Sequence, residues 1–157
     1  MATTIVPNTL KVTITEEIVV DGVDRGSKHV QIVPSVTELA RRTIEVPTSE
    51  IEILAFAADN PAAGSFDEAD VRYIRITNKD DVNFATLIFK NESNDEFAFK
   101  LDFGCTFIYS CDQAAGVVNT FDAEAGAIST ITLADLVNIS ALSNSGACDL
   151  ELVVAGV

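Results

Sequence analysis

The chain has few of the residue types from which enzyme active sites are built. Its 157 residues include no tryptophan and a single histidine, His29. One histidine cannot form a zinc site, and no Cys-x-x-Cys pair is present to complete one. The nucleophile elbow of hydrolases, the Walker phosphate loop and the dinucleotide-binding glycine pattern do not occur either. The sequence therefore predicts no enzyme activity, no cofactor and no catalytic residue.

Positive charge is scarce as well. Ten Lys and Arg stand against 24 Asp and Glu, a net charge of −14. Such a charge repels phosphate backbones and anionic membranes, so neither nucleic acid nor a membrane is expected as a direct partner. The same charge favours solubility and attracts cations or a basic protein surface. The first residues lack the basic start and long apolar run of a signal peptide, and no segment is suited to span a bilayer, which predicts synthesis in a cytoplasm.

Cysteine is limited to Cys105, Cys111 and Cys148, an odd count that argues against a self-contained disulfide framework. On a regular strand Cys105 and Cys111 would lie roughly 20 Å apart. A disulfide needs Cα atoms within about 7 Å of each other. We therefore expect buried free thiols.

The sequence is rich in two-residue alternation of apolar and polar side chains. Phe97, Phe99, Leu101 and Phe103 alternate with small or polar residues, and residues 148–154 repeat the pattern. This is the period of a strand with one buried face. We expect the Phe97–Phe103 face to be buried.

About nine such segments follow one another, with short turns of Asp, Asn and Gly between them. This spacing predicts an all-β fold, a single-domain antiparallel β-sandwich that could take the form of a jelly roll, with a closed barrel as the alternative. Residues 1–9 are expected to form an N-terminal arm and residues 10–157 the sandwich domain.

One or two short helical turns are also expected. Ser35 and Glu38 could cap a single turn, although the segment could equally be extended. The run 132–135, Thr-Leu-Ala-Asp, reads as a capping box that opens a short helix with an apolar face over residues 136–139.

The segment 82–90 is apolar on both faces of the strand that it predicts. Phe84 and Ile88 share one face, and Leu87 and Phe89 share the other. A strand of this kind is covered on both sides, by the core and by another element or subunit. We take Phe84, Leu87 and Phe89 as candidate interface residues.

Three clusters of acidic and amide side chains lie in turns, at 67–70, 78–81 and 91–96. Oxygen atoms in such loops can bind calcium, but none of the clusters has the ligand spacing of an EF-hand. Asn, Asp and Ser also build turns without any ligand. The sequence therefore predicts no metal site.

The second half of the chain resembles small β-structured virion proteins of tailed bacteriophages, especially those of marine phages. Four strand-forming pieces carry the resemblance: 71–78 followed by Asp81, Phe84 and Leu87, 97–101 followed by Gly104 and Phe107, 129–136, and 149–154. Together they cover about half of the chain. The resemblance implies a structural virion protein, with a capsid decoration (cement) protein as the first expectation. It assigns no functional residue.

The expected role is thus a non-enzymatic subunit that binds the outside of a capsid and stabilises it. Its expected partners are the major capsid protein and further copies of itself, with a trimer as the guess, and its expected location is the capsid surface of the virion. An acidic protein suits the outer face of a shell that holds DNA, because on the inner face it would repel the genome. The alternatives are a tail, neck or fibre-attachment component and a calcium-dependent glycan-binding module.

Overall fold

The computed structural model describes residues 5–57, 64–110 and 134–157, and this part of the chain forms strands and no helix. The strands are β1 (Asn8–Glu16), β2 (Val19–Val20), β3 (Val23–Asp24), β4 (Ser27–Val36), β5 (Glu38–Val46), β6 (Ile51–Ala57), β7 (Phe66–Asp67), β8 (Val71–Asn78), β9 (Ala85–Asn91), β10 (Glu96–Leu101), β11 (Thr106–Ser110), β12 (Leu136–Ser143) and β13 (Cys148–Gly156).

Two larger sheets form the body of the molecule. Sheet one has five strands in the order β10-β9-β12-β6-β7, and sheet two has four in the order β11-β8-β13-β5. Neighbouring strands are antiparallel, except that the short β7 runs parallel to β6 at the edge of sheet one. The predicted all-β fold and antiparallel β-sandwich are confirmed.

The pairing of the eight long strands of the body is nested. The first pairs with the last (β5 with β13), the second with the second last (β6 with β12), and β8 and β9 pair with β11 and β10. Two further pairings, β8 with β13 and β9 with β12, join these strand pairs into two four-stranded units, one in each sheet. This is the strand order of a jelly roll.

The core lies between the two sheets and follows from the alternation of each strand. In β13, Leu150, Leu152 and Val154 are buried, whereas Asp149 and Glu151 point away from the core. β8 and β9 supply Ile74, Ile76 and Leu87 to the same cluster. Because the period of a strand is two, each strand needs only one apolar face to fill this space.

The predicted short helix is wrong where the structure describes it. Leu136–Ser143 forms β12, the middle strand of sheet one, which pairs with both β6 and β9. A single helical turn is costly to nucleate, whereas β12 gains two ladders of hydrogen bonds and buries Leu136 and Ile139. Residues 132 and 133 of the expected capping box lie outside the described ranges. The segment after Ser35 also forms no helical turn, because Glu38–Val46 is β5.

A long hairpin stands apart from the sandwich. β1 and β4 pair only with each other, and at the far end β2 and β3 form a smaller hairpin. We call residues 8–36 the outer hairpin. Its tip turns at Asp21 and Gly22, which both have positive φ (51° and 76°), as the tight hairpin turn of the Asp-Gly type requires.

The base of the outer hairpin packs on the outward face of sheet two. Tyr73 and Ala155 alternate with core residues and so face outward, yet both are buried. Val33 of β4 is buried too, and Gln31 donates a hydrogen bond to the Ser110 hydroxyl beside Tyr73. Residues 13–30 of the hairpin are all exposed. Residue 9, the expected end of an N-terminal arm, lies within β1.

Candidate interaction surface

Exposed apolar side chains are concentrated at the N-terminal end of the described chain. Of the 14 large hydrophobic residues that are exposed in the whole described chain, nine lie between residues 5 and 32. They are Ile5, Val6, Ile14, Ile18, Val19, Val20, Val23, Val30 and Ile32. A concentration of exposed apolar side chains of this kind is typical of interaction sites in soluble proteins.

One face of the hairpin stem combines apolar and basic side chains. Lys11 lies opposite Ile32, Thr13 opposite Val30, and Thr15 opposite Lys28. Residues that pair directly across two antiparallel strands point to the same side. The stem face, as we call this side, therefore carries two lysines, two exposed aliphatic residues and no acid.

The outer hairpin also differs from the sandwich in charge. It holds three cations (Lys11, Arg25 and Lys28) and four acids, 3 − 4 = −1, so the rest of the chain carries −14 − (−1) = −13. Its three cations form no ion pair within the described residues, whereas Arg41, Arg75, Lys90 and Lys100 of the sandwich each pair with an acid. The hairpin is thus a nearly neutral, apolar element on a strongly acidic body.

The three interface residues expected from the sequence do not lie together on the surface. Leu87 and Phe89 face the core and are at most 4% exposed, so they are inaccessible to another subunit. Phe84 is half-buried at the surface, and the ammonium of Lys100 lies 4.5 Å from the centre of its ring. The second face of β9, with Thr86, Ile88 and Lys90, is only partly covered.

Aromatic rings fill the gap between the edge strands β10 and β11. Phe97 stacks on Phe89 with ring centres 4.6 Å apart, and Phe107 lies 5.2 Å from Phe89 and 5.4 Å from Phe99. The expectation that the whole Phe97–Phe103 face is buried is wrong. Phe99, in the edge strand β10, is 41% exposed. Phe103 is 54% exposed because the chain leaves sheet one after Leu101 and turns at Gly104 (φ +69°) towards sheet two.

In two of the acidic turns, a carboxylate accepts hydrogen bonds from backbone N–H groups of the same turn. Asp80 Oδ1 accepts hydrogen bonds from the backbone N–H groups of Val82 (2.8 Å) and Asn83 (2.5 Å), and these bonds lower the pKa of Asp80. Asp67 likewise accepts a bond from Ala69 N–H. In the described part of the chain no group of three or more His, Cys, Asp or Glu side chains is placed to hold a metal ion.

The outward face of sheet two carries a charged group of three side chains. Both carboxylate oxygens of Glu151 on β13 are engaged, one by Arg41 of β5 at 2.6 Å and the other by Arg75 of β8 at 2.5 Å. The two guanidinium groups lower the pKa of Glu151 from 4.5 to about 2. The group joins three adjacent strands of sheet two.

The histidine and the two cysteines that the structure describes lie on different elements. His29 is exposed in β4, opposite Ile14. Cys148 is a buried free thiol, as expected, and burial raises its pKa. Cys105 is free but exposed, contrary to the expectation. Cys111 lies outside the described ranges.

Comparison with known proteins gives no relative: no family model, curated protein or solved structure matches this chain. Within the residues that the structure describes, no helix is long and apolar enough to cross a membrane.

The outer hairpin is therefore the candidate interaction surface, and it is identified from the structure and not from a relative. The alternation of Leu10, Val12 and Ile14 in the sequence indicates that β1 is a strand. It does not indicate that β1 pairs with β4 outside the sandwich.

Proposed function

We propose that this protein is a structural subunit that works by assembly, as a capsid decoration (cement) protein on the outside of a virion. The observation that carries the proposal is the outer hairpin, which leaves its apolar residues exposed although the chain has a closed, well-filled core elsewhere. An isolated two-stranded hairpin is marginal in water, so such an element is suited to order against a partner.

The body of the molecule supports the same proposal. A jelly roll is a rigid scaffold that occurs in virus shells, but also in lectins and other binding proteins, so the fold alone does not select a function. The acidic surplus of the sandwich suits the exterior of a shell filled with DNA, where it does not have to share space with phosphate groups.

The direct test is binding of the purified chain to purified shells. The full chain is mixed with expanded shells of the phage that encodes it, and the mixture is sedimented; an unrelated protein of similar size and charge is the control. We expect the chain to sediment with the shells and to raise the temperature at which they break. A chain that stays in the supernatant would remove the decoration proposal.

The number of copies per particle separates decoration from the tail, neck or fibre-attachment role. A decoration protein follows the symmetry of the shell and reaches hundreds of copies, whereas a tail component is present in a handful. The calcium-dependent glycan-binding alternative requires carboxylate oxygens that are free to bind the cation and are not already hydrogen-bonded to backbone N–H groups.

A further inference from the structure

We propose that the outer hairpin docks on the acidic sandwich of a second copy of this chain. The inference rests on the proposed assembly function and names one of its partners. It identifies the stem face and the tip of the hairpin as the donor surface, and a neighbouring sandwich as the surface that receives it.

Most apolar residues of the hairpin beyond its base are not buried by the described part of the chain. Of the large hydrophobic side chains in residues 8–36, Val33 at the base is buried, whereas Ile18, Val19 and Val23 at the tip are each at least 50% exposed. The outer edges of β1 and β4 also have no strand beside them in the described structure. Free edges and exposed aliphatic residues together favour addition to another protein surface.

Charge complementarity supports a second copy as the partner. Lys11 and Lys28 on the stem face form no ion pair in the described residues, so both can pair with an acidic surface. The described residues of the sandwich, 37–57, 64–110 and 134–157, hold seven Lys and Arg against 16 Asp and Glu, 7 − 16 = −9, and provide one.

The size of the hairpin fits this role. β1 has nine residues at about 3.3 Å each, so the stem spans roughly 30 Å, the length of the longest strands of a neighbouring sandwich. The outer hairpin comprises 36 − 8 + 1 = 29 residues. A protein interface of ordinary size uses about 20–30 residues from each partner.

The contact joins two different surfaces, so it continues from copy to copy, and it gives a ring where the rotation between copies closes and an open filament where it does not. The trimer expected from the sequence is one such ring. Three chains of 16.8 kDa would give a particle of about 50 kDa.

The experiment measures the mass of the isolated full chain in solution by sedimentation velocity, over a wide range of concentrations. Two matched valine variants assign the contact. Val19 at the hairpin tip and Val82 in the loop before β9 are both 70% exposed, so Val19→Asp and Val82→Asp make the same chemical change at sites of equal exposure. Circular dichroism and thermal unfolding show whether each variant is folded.

A second matched pair separates local docking from general repulsion. Lys28→Glu and Lys79→Glu both change the net charge from −14 to −16, and both lysines are exposed. If only the overall charge mattered, the two variants would weaken association equally. Docking through the stem face predicts that Lys28→Glu alone has a large effect.

We expect a concentration-dependent oligomer for the wild type, association at least about tenfold weaker for Val19→Asp and Lys28→Glu, and little change for Val82→Asp and Lys79→Glu. Peptide-level hydrogen exchange of the wild type should show residues 8–36 protected only at concentrations where the oligomer forms. A wild type that stays monomeric, or equal losses within each pair, would overturn the inference. Shell binding by a monomeric chain would refute self-docking and leave the decoration role standing.

Discussion

Glu151 on β13 lies with its Oε2 atom 2.6 Å from Nη2 of Arg41 on β5. Its other carboxylate oxygen lies 2.5 Å from Nη2 of Arg75 on β8. β13 is flanked by β5 and β8 in sheet two, so one carboxylate links three strands across their hydrogen-bond ladders. The protonation of Glu151 should therefore affect the stability of this sheet.

Acid should weaken the fold through Glu151. Its pKa is about 2 in the folded chain, below its ordinary value of 4.5. The unfolded chain therefore takes up the proton first, and the stability that Glu151 contributes above pH 4.5 is lost as the pH falls towards 2. We expect the melting temperature of the wild type to fall more steeply over this window than that of Glu151→Gln.

Glu50→Gln is the control for this measurement, because Glu50 is exposed and forms no ion pair in the part of the chain that is described. Its profile should be parallel to that of the wild type. Equal slopes for the wild type and Glu151→Gln would show that the two arginines do not act on this carboxylate as the structure indicates.

Asn78→Ala should destabilise the fold strongly. The side chain is fully buried, donates to the backbone oxygens of Asn83 (2.9 Å) and Leu101 (3.2 Å), and accepts from Asp80 N–H (3.0 Å). Removing it leaves these groups unsatisfied in a buried place, at a cost of about 2–4 kcal/mol in the free energy of unfolding. Denaturant unfolding measures the loss. Asn8→Ala, at an exposed site, should change stability by less than about 0.5 kcal/mol.

Leu87→Ala and Phe84→Ala separate core residues from surface residues in β9 and the loop before it. Leu87 is fully buried in the core, so its truncation should lower the free energy of unfolding by about 2–5 kcal/mol. Phe84 is half-buried and contacts Lys100, so its truncation should cost about 1 kcal/mol. Urea titration of the monomeric chain measures the free energy of unfolding of both variants. An unchanged stability for Leu87→Ala would contradict the placement of Leu87 in the core.

Calcium should not stabilise the protein through the turn at Asp80. The Oδ1 atom of Asp80 already accepts two backbone N–H groups, so binding a cation there would compete with the turn. We expect a flat calorimetric titration with Ca²⁺ and an unchanged melting temperature, while Asp80→Ala lowers the melting temperature equally with and without calcium. A rise in melting temperature that needs both calcium and Asp80 would support the glycan-binding alternative instead.

The strands whose apolar face fills the core could be predicted from the sequence. Leu150, Leu152 and Val154 alternate with polar residues and are buried as expected. β12 was not predictable in the same way. Its capping-box pattern is a local signal for a helix, whereas its strand structure depends on pairing with β6 and β9, which are distant in sequence.

The outer hairpin shows a second limit of sequence patterns. Leu10, Val12 and Ile14 alternate as a buried strand would, but alternation states only that one face is apolar, not what covers it. The body is filled by other strands, so the distal part of this face, including Ile14, stays exposed. Phe103 is exposed for a related reason, because Gly104 takes the chain from one sheet to the other.

The claim that the chain is a decoration subunit is tested most directly by its abundance in purified virions. Quantitative mass spectrometry gives the ratio of this chain to the major shell protein. The account predicts hundreds of copies per particle, in a fixed ratio that the shell symmetry sets. A handful of copies, or none, would contradict it.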